Sequence, residues 1–174
     1  ARELTQDPYI GLKAASFFTP SSFSALGLAM AASNNGLDAL QRLVRFSQVI
    51  SNGSVVSLDQ KDGLVSVTHH HIVNVSWQTY FHGIECIFAM SLQALRSISS
   101  HDLSPIDVHF EHSIEGDLTP FEKVFNCPVY PDSQNSMTFK LDDLLSPHVF
   151  ANSQLADTLD SWITDNLTQA EDDL

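Results

Sequence analysis

The spacing of apolar residues changes once along the chain, and this change constrains the fold more than any other feature. Up to about residue 50, apolar side chains recur at helical spacing, as in Leu37, Leu40 and Val44; this is typical of a helix with one buried face. Beyond the Ser-Asn-Gly turn at 51–53 they alternate with polar residues, as in Val56 and Leu58, which is typical of a half-buried strand. The sequence therefore predicts an N-terminal helical segment followed by a sheet.

The helical segment is divided by polar steps. A short helix is expected from Pro8 to Ala15, a second from Phe23 to Ala32 and a third from Leu37 to about Ile50. Ser33, Asn34 or Asn35 is expected to cap the third helix, because such side chains accept a hydrogen bond from the first helical turn. Its two arginines, Arg42 and Arg45, fall toward its polar side.

The alternating region contains a turn signal. Asp62-Gly63 separates two alternating runs, and an Asp-Gly pair in this position is a specific predictor of a β-hairpin. A third alternating stretch, Ile72–Thr79, follows. We expect these three runs to form an antiparallel meander.

The second half of the chain alternates helical and strand-like patterns. Helices are expected at 80–99, 119–126 and 153–168, and strands at 106–112 and 137–141. The last helix should turn its apolar residues inward: Leu155, Leu159, Trp162 and Ile163. The order predicts an α+β fold, an antiparallel or mixed β-sheet covered by helices, with an N-terminal helical segment.

Charge and composition exclude several function classes. The net charge of −13 repels phosphate backbones, so direct nucleic-acid binding by this chain is not expected. No apolar run approaches the ~20 residues of a membrane span, and no signal-peptide pattern is present. Two cysteines without such a signal indicate a reducing, cytoplasmic compartment. The chain begins with Ala1 inside a polar segment, so we expect a fragment of a longer protein.

The chain contains eight histidines, which are common metal ligands, but their spacing does not favour a metal site. His69 and His71 share one face of a strand, but a structural zinc site needs two further ligands, and none has suitable spacing. A solvated strand end is the alternative. His109 and His112 are three apart, which puts them on opposite faces of a strand. No metal and no cofactor are expected.

Six residues are candidates for ligand binding. His82 and Glu85 are three apart near the start of a helix, close to Trp77 and Tyr80, where they could hydrogen-bond a ligand or simply cap the helix. His112 lies on an apolar strand face, either as a satisfied core histidine or as a polar group in a pocket. Phe18 could line a cavity or fill one. The full candidate set is Phe18, Trp77, Tyr80, His82, Glu85 and His112.

Motifs of enzymes are absent. The chain lacks G-x-S-x-G, a Walker loop, G-x-G-x-x-G and H-E-x-x-H. Cys127 precedes Pro128 without a visible base or oxyanion site, which a nucleophile requires. We therefore do not expect an enzyme.

Several short motifs occur in an order that is familiar from a known family. Asp-Pro-Tyr-Ile-Gly-Leu at 7–12 is followed by a Leu- and Gly-containing helix, Val-His-Phe-Glu-His at 108–112, Cys-Pro-Val-Tyr at 127–130 and Leu-Leu-Ser-Pro at 144–147. Together they resemble the N-terminal effector-binding (arabinose-binding-like) domain of AraC-type bacterial transcription regulators. Asn126 stands where the family's turn usually carries glycine; asparagine tolerates positive φ better than most residues, so the turn can be kept.

The resemblance implies a regulatory module. Residues 1–165 would form an effector-binding and dimerisation domain, and 166–174 an acidic linker toward a C-terminal helix-turn-helix DNA-binding domain that this chain lacks. The implied partners are an unknown small-molecule effector and a second copy in a homodimer. DNA would be contacted only through the missing domain, and no membrane would be involved. The resemblance transfers no ligand-contacting residue.

Three other functions remain open from the sequence. The histidines and aromatics are compatible with a haem or metal-based gas sensor. Cys127 or the His82–Glu85 pair could serve a small hydrolase or isomerase. A dimerisation module without any ligand is the simplest alternative.

Overall fold

A computed structural model describes residues 7–49, 53–72, 77–114 and 116–172, without the side chains of 77–80 and 168–172. Its α-helices are α1 Ile10–Ala15, α2 Ser24–Ala31, α3 Gly36–Arg45, α4 Trp77–Ile98, α5 Thr119–Phe125, α6 Leu141–Leu144 and α7 Ser153–Asp172. Short 3₁₀ helices span Pro20–Phe23 and Ser47–Val49. The strands are β1 Ser54–Lys61, β2 Leu64–His71, β3 Asp107–Phe110, β4 Val129–Pro131 and β5 Asn135–Lys140.

The five strands form one mixed sheet in the order β1-β2-β5-β3-β4. All neighbours are antiparallel except β3 and β4, which are parallel. Asp62 and Gly63 both have positive φ, as a two-residue type I′ hairpin requires. The predicted hairpin and the predicted α+β class with a mixed sheet are therefore confirmed.

One face of the sheet carries the core. Val65 lies opposite Phe139, and Val67 opposite Met137, and all four are buried. Residues paired across strands share a face, so they form continuous apolar rows. Helix α4 adds Phe88 to this core, with its ring 5.6 Å from that of Phe110. The other face is more open, since Val55 and Leu64 are exposed.

Helix α3 begins as predicted but ends earlier. The Asn35 side chain accepts a hydrogen bond from Asp38 N at 2.9 Å, which identifies the cap among the three candidates. The helix stops at Arg45, and a 3₁₀ turn follows it. The prediction for Arg42 was wrong, because its side chain is buried where α3 meets α7.

The predicted third strand, Ile72–Thr79, is wrong at its end. Residues 77–79 belong to helix α4, while 73–76 lie outside the described residues. Alternation over so few residues does not separate a strand from a first helical turn.

Helix α7 is less buried than its pattern predicted. Leu155 and Trp162 remain 47% and 54% exposed, whereas Ala156 and Ile163 are buried. The buried pair is seven residues apart, so the helix packs along a narrow stripe, with α2 as a main contact. Because α7 continues to Asp172, residues 166–172 of the predicted linker are helical. Where the domain ends stays a prediction.

The end of helix α5 confirms the expected role of asparagine. Asn126 has φ 57° and ψ 37°, the left-handed conformation that often closes a helix. From α4, Arg96 donates to the carbonyls of Val124 and Phe125 at 2.7 and 2.9 Å. These bonds satisfy carbonyls that a helix end leaves unpaired. Among the described helices, none is long and apolar enough to cross a membrane.

Candidate functional site

Three of the predicted site residues meet in one buried hydrogen-bonded cluster. The carboxylate of Glu85 uses its two oxygens separately: Oε2 lies 2.9 Å from His82 Nδ1, and Oε1 lies 2.9 Å from His112 Nε2. Glu85 is only 2% exposed. We call His82, Glu85 and His112 the histidine–glutamate cluster.

Helix α4 and the chain after β3 build this cluster. Positions 82 and 85 lie about one turn apart on α4, so their side chains share a face. His112 follows β3 by two residues, and its ring stacks on Phe81 with centroids 4.2 Å apart and planes 17° apart. Gly11 of α1 closes the cluster, since a Cβ there would lie 3.0 Å from Glu85 Oε2.

The other predicted site residues are not placed in this cluster. Phe18 packs against Phe23 and Ala94 in a small separate group. Trp77 and Tyr80 lie on the first turn of α4, and their side chains are outside the described part. The alternative of helix capping by Glu85 is wrong, because α4 begins eight residues earlier at Trp77.

The histidine–glutamate cluster is buried, and most of its polar atoms have hydrogen-bond partners. Within the described residues His112 Nδ1 is buried without a hydrogen-bond partner, while both carboxylate oxygens of Glu85 are engaged. Among those residues, no group of three His, Cys, Asp or Glu side chains is arranged to hold a metal ion. The contacts favour a structural crosslink, and effector contact by these residues stays a prediction.

A second place has the character of a binding site. Helices α3 and α4 leave a narrow gap against the sheet, with a cavity volume of about 20 Å³. We call it the sheet cavity. Its lining consists of apolar side chains, three serines and one histidine: Leu40, Leu43, Ser47, Ser54, Val56, Val67, His69, Ile87, Phe88, Ser91 and Met137.

His69 is the unusual member of this lining. It is 5% exposed, and among the described residues its Nδ1 has no hydrogen-bond partner. Burial lowers its pKa to about 4, and the neighbouring His71 and His70 act in the same direction. The ring is therefore neutral at pH 7.

The sequence reasoning missed His69 as a site residue and expected a solvated strand end. The signal was present in the two-residue period of β2, because His69 continues the row of Val65 and Val67 on the buried face. A histidine continuing a row of buried valines indicates either a core position or a pocket.

Neither cysteine has the properties of a nucleophile. Burial, with Asp107 as a second contributor, raises the pKa of Cys127 to about 12. Burial also raises the pKa of Cys86. Both thiols stay protonated at neutral pH, and the thiolate is the reactive form.

Comparison with known proteins agrees with this architecture. A crystal structure of the transcriptional regulator CdpR from Pseudomonas aeruginosa is similar, with a TM-score of 0.73 at 16% identity. The similarity covers 87% of this chain and 50% of CdpR, so the chain spans half the length of that neighbour. No curated protein matches the chain significantly. Residues 1–148 match the family described as the arabinose-binding domain of AraC transcription regulator, N-terminal. The chain therefore belongs to this family of N-terminal domains of AraC-type regulators.

Proposed function

We propose that this chain is the effector-sensing and dimerisation domain of a bacterial, cytoplasmic AraC-type regulator. It controls an attached helix-turn-helix DNA-binding domain outside this chain. The observation that carries the sensing part is the sheet cavity with His69, whose buried Nδ1 has no hydrogen-bond partner among the described residues. Buried polar atoms normally have partners, and His69 is one of the residues that line the cavity, so a ligand there is proposed to supply the partner.

The charge of the chain supports the proposal that this domain senses the effector while the attached domain binds DNA. A net charge of −13 opposes contact with phosphates, so DNA binding is assigned to the attached domain. The effector therefore acts at a distance from DNA. It does so by favouring one of two conformations of the regulator.

The walls of the sheet cavity suggest how a ligand reaches the rest of the molecule. Leu40 and Leu43 of α3 line the cavity, and Arg42 of the same helix is bonded to Asp160 of α7. A ligand that shifts α3 therefore acts on the helix nearest the chain's C-terminus. We propose α3 and α7 as the elements that transmit effector binding.

The histidine–glutamate cluster has a supporting role in this proposal. Glu85 lies on α4 just before Ile87 and Phe88, which line the cavity. Its bonds to His82 and His112 hold this part of α4 in place. The cluster positions one cavity wall, and direct contact of its residues with the effector stays a prediction.

Dimerisation is proposed through α7 and the segment before it. Four large apolar side chains there are exposed: Val149, Phe150, Leu155 and Trp162. Leu155 and Trp162 are seven positions apart on one helix and so lie on the same side. Apolar patches of this kind commonly mark protein interfaces, and a second copy of this chain is the proposed partner.

A metabolite screen tests the sensing function. A ligand that binds only the folded domain raises its melting temperature, by an amount that grows with ligand concentration. The same compound must change the DNA affinity of the full-length regulator. If no compound in a broad screen stabilises the domain, and DNA affinity responds to none, the sensing proposal fails and a module without a ligand is favoured.

Light scattering after gel filtration tests dimerisation. Trp162→Glu and Leu155→Glu should give monomers, because a charge at an apolar interface is costly. Gln154→Glu is the matched control next to Leu155, and it should leave the mass unchanged. A monomeric wild-type domain at high protein concentration, or variants that remain dimeric, would contradict the proposed interface.

A further inference from the structure

The loop that precedes α7 carries the most exposed apolar side chains of the proposed dimer interface. Val149 is 62% and Phe150 76% exposed, more than Leu155 or Trp162 on α7. Both lie in a turn outside the helices and strands, so contacts with other parts of the chain must fix their position. A loop that is fixed before binding loses less conformational freedom in a complex, which favours affinity. We call residues 147–152 the interface strap.

The interface strap is held by three consecutive backbone carbonyls in the turn between α2 and α3. Asn152 N donates to Ala32 O at 2.8 Å, and His148 N donates to Asn34 O at 2.9 Å. Between them, His148 Nδ1 lies 2.8 Å from Ser33 O. A carbonyl oxygen only accepts hydrogen bonds, so Nδ1 carries the proton and donates. Each of the three carbonyls therefore receives one donor from the strap.

The turn between α2 and α3 needs these donors. Helix α2 ends at Ala31, and carbonyls beyond a helix end have no partner within the helix. Ala32 and Ser33 are buried, so water does not take the place of a partner. The side chain of Ser33 is fixed as well, since its Oγ donates to Ala29 O at 3.0 Å and accepts from Arg42 Nη1 at 3.1 Å. The strap thus docks on a part of the chain that is itself held in place.

His148 supplies two of the three donors, and it is 6% exposed. A hydrogen bond that is shielded from water is costly to lose, because the acceptor stays behind without a partner. Burial lowers the pKa of His148, while the hydrogen bond to Ser33 O and the nearby Asp38 act in the opposite direction. The ring is therefore neutral at pH 7 and holds its one proton at Nδ1.

Asn152 fixes the other end of the strap. Its backbone N–H is bonded to the turn between α2 and α3, and its side-chain oxygen accepts from Leu155 N at 3.1 Å, which caps α7. Val149 and Phe150 lie between the two anchored residues. Their position relative to α7 is therefore set by His148 at one end and by Asn152 at the other.

We propose that His148 is the positioning residue of the dimer interface: it holds the interface strap on the turn between α2 and α3, so that Val149 and Phe150 face the second copy of the chain. This inference rests on the proposed dimerisation and specifies which residue organises its interface.

Two substitutions of His148 test the inference. His148→Leu removes the donor to Ser33 O and keeps an apolar side chain at the buried position. His148→Asn keeps a donor, because the amide nitrogen of asparagine and Nδ1 of histidine are both bonded to Cγ. His101→Leu is the control, since His101 is exposed and lies outside the strap.

Sedimentation equilibrium measures the dimer. His148→Leu should raise the dissociation constant about tenfold, the value of one good buried hydrogen bond, whereas His148→Asn should stay near wild type. His101→Leu should leave the dissociation constant unchanged. Rescue by asparagine separates a positioning role from a general loss of packing, because asparagine is smaller than histidine and restores only the donor.

Amide hydrogen exchange measures the docking of the strap without dimerisation. In Trp162→Glu, which is expected to be a monomer, the addition of His148→Leu should speed exchange at Asn152 N about tenfold and leave exchange in β2 unchanged, because the strap opens locally. If His148→Leu does not fold, His148→Gln replaces it in both measurements, since glutamine moves the donor by one bond.

The outcomes separate this inference from the proposed dimerisation. A folded His148→Leu domain that dimerises like wild type, or unchanged exchange at Asn152 N, overturns the inference. A His148→Asn domain that dimerises as weakly as His148→Leu also overturns it. If Trp162→Glu is monomeric in these cases, dimerisation stands and only the role of His148 fails. If wild type is monomeric at high protein concentration, the proposed dimerisation fails, and the interface role of His148 fails with it.

Discussion

Arg42 and Asp160, 118 residues apart in sequence, join α3 to α7: Arg42 Nε lies 3.2 Å from both carboxylate oxygens of Asp160. The same guanidinium donates to Asp38 of its own helix and to Ser33 Oγ at 3.1 Å. The side chain of Arg42 is buried, and its charge is matched by these carboxylates. The contact links a helix that lines the sheet cavity to the helix with the exposed apolar face.

Arg42→Met should destabilise the domain by about 2–4 kcal/mol, since it leaves Asp160 and Asp38 without their shared partner. Urea denaturation measures this loss. Arg45→Met is the matched control: Arg45 is 62% exposed and only reaches Asp160 at 4.0 Å, so about 0.5 kcal/mol or less is expected. Equal effects of the two substitutions would show that Arg42 acts only as a surface charge.

Glu85→Ala should cost about 2–4 kcal/mol, because His82 Nδ1 and His112 Nε2 both lose their acceptor inside the protein. Glu85→Gln keeps one acceptor oxygen and should lose less. Glu122→Ala is the control. It removes an exposed carboxylate in the first turn of α5 and should lower the free energy of unfolding by about 0.5 kcal/mol. Thermal unfolding of the three variants compares them. A Glu85→Ala domain as stable as the Glu122→Ala domain would contradict a structural role for the cluster.

Gly11→Ala should destabilise the contact between α1 and α4 by about 1–3 kcal/mol. A Cβ at this position would lie 2.5 Å from the backbone oxygen of His82, so the two helices would have to separate. Gly83→Ala is the control on α4, where an added Cβ meets nothing within 4 Å. There the better helix propensity of alanine should stabilise by about 0.5–1 kcal/mol. Opposite signs of the two changes in unfolding free energy are expected; equal signs would contradict the close approach of the helices.

Local patterns in the sequence predicted those elements whose structure depends on neighbours in the chain. The Asp62-Gly63 turn, the Asn35 cap and the left-handed Asn126 all follow from the conformations that these residues favour. The predicted start of α4 was wrong, because a short alternating run fits both a strand and the first turn of a helix. The short strand β4 was missed because three residues with a proline carry no period, and its pairing with β3 comes from the tertiary fold.

Long-range partners limited the prediction of the site. His82 and Glu85 were recognised as neighbours because their spacing on a helix makes them so. That His112 completes the cluster depends on how the chain leaves β3, and that Arg42 is buried depends on Asp160 far along the chain. The sheet cavity arises from two helices and three strands, and its signal in the sequence, the row of Val65, Val67 and His69, was not recognised.

The buried, neutral state of His69 predicts how stability depends on pH. Its pKa is about 4 in the folded domain, against an ordinary value of 6.5. Between these two pH values the unfolded chain binds more protons, so the free energy of unfolding rises with pH. The contribution is fully present above pH 6.5 and is lost as pH falls through about 4. A pKa difference of this size corresponds to about 3 kcal/mol in the free energy of unfolding.

The His69→Leu substitution removes this pH dependence and places an apolar side chain in the cavity. Urea denaturation at several pH values should show that wild type loses about 3 kcal/mol more than His69→Leu between pH 7 and 4. His70→Leu, exposed on the opposite face of β2, should lose as much as wild type. An NMR titration of the His69 ring should have its midpoint near pH 4. Identical pH profiles for wild type and His69→Leu would mean that folding does not lower the pKa of His69, and would contradict the burial of its ring.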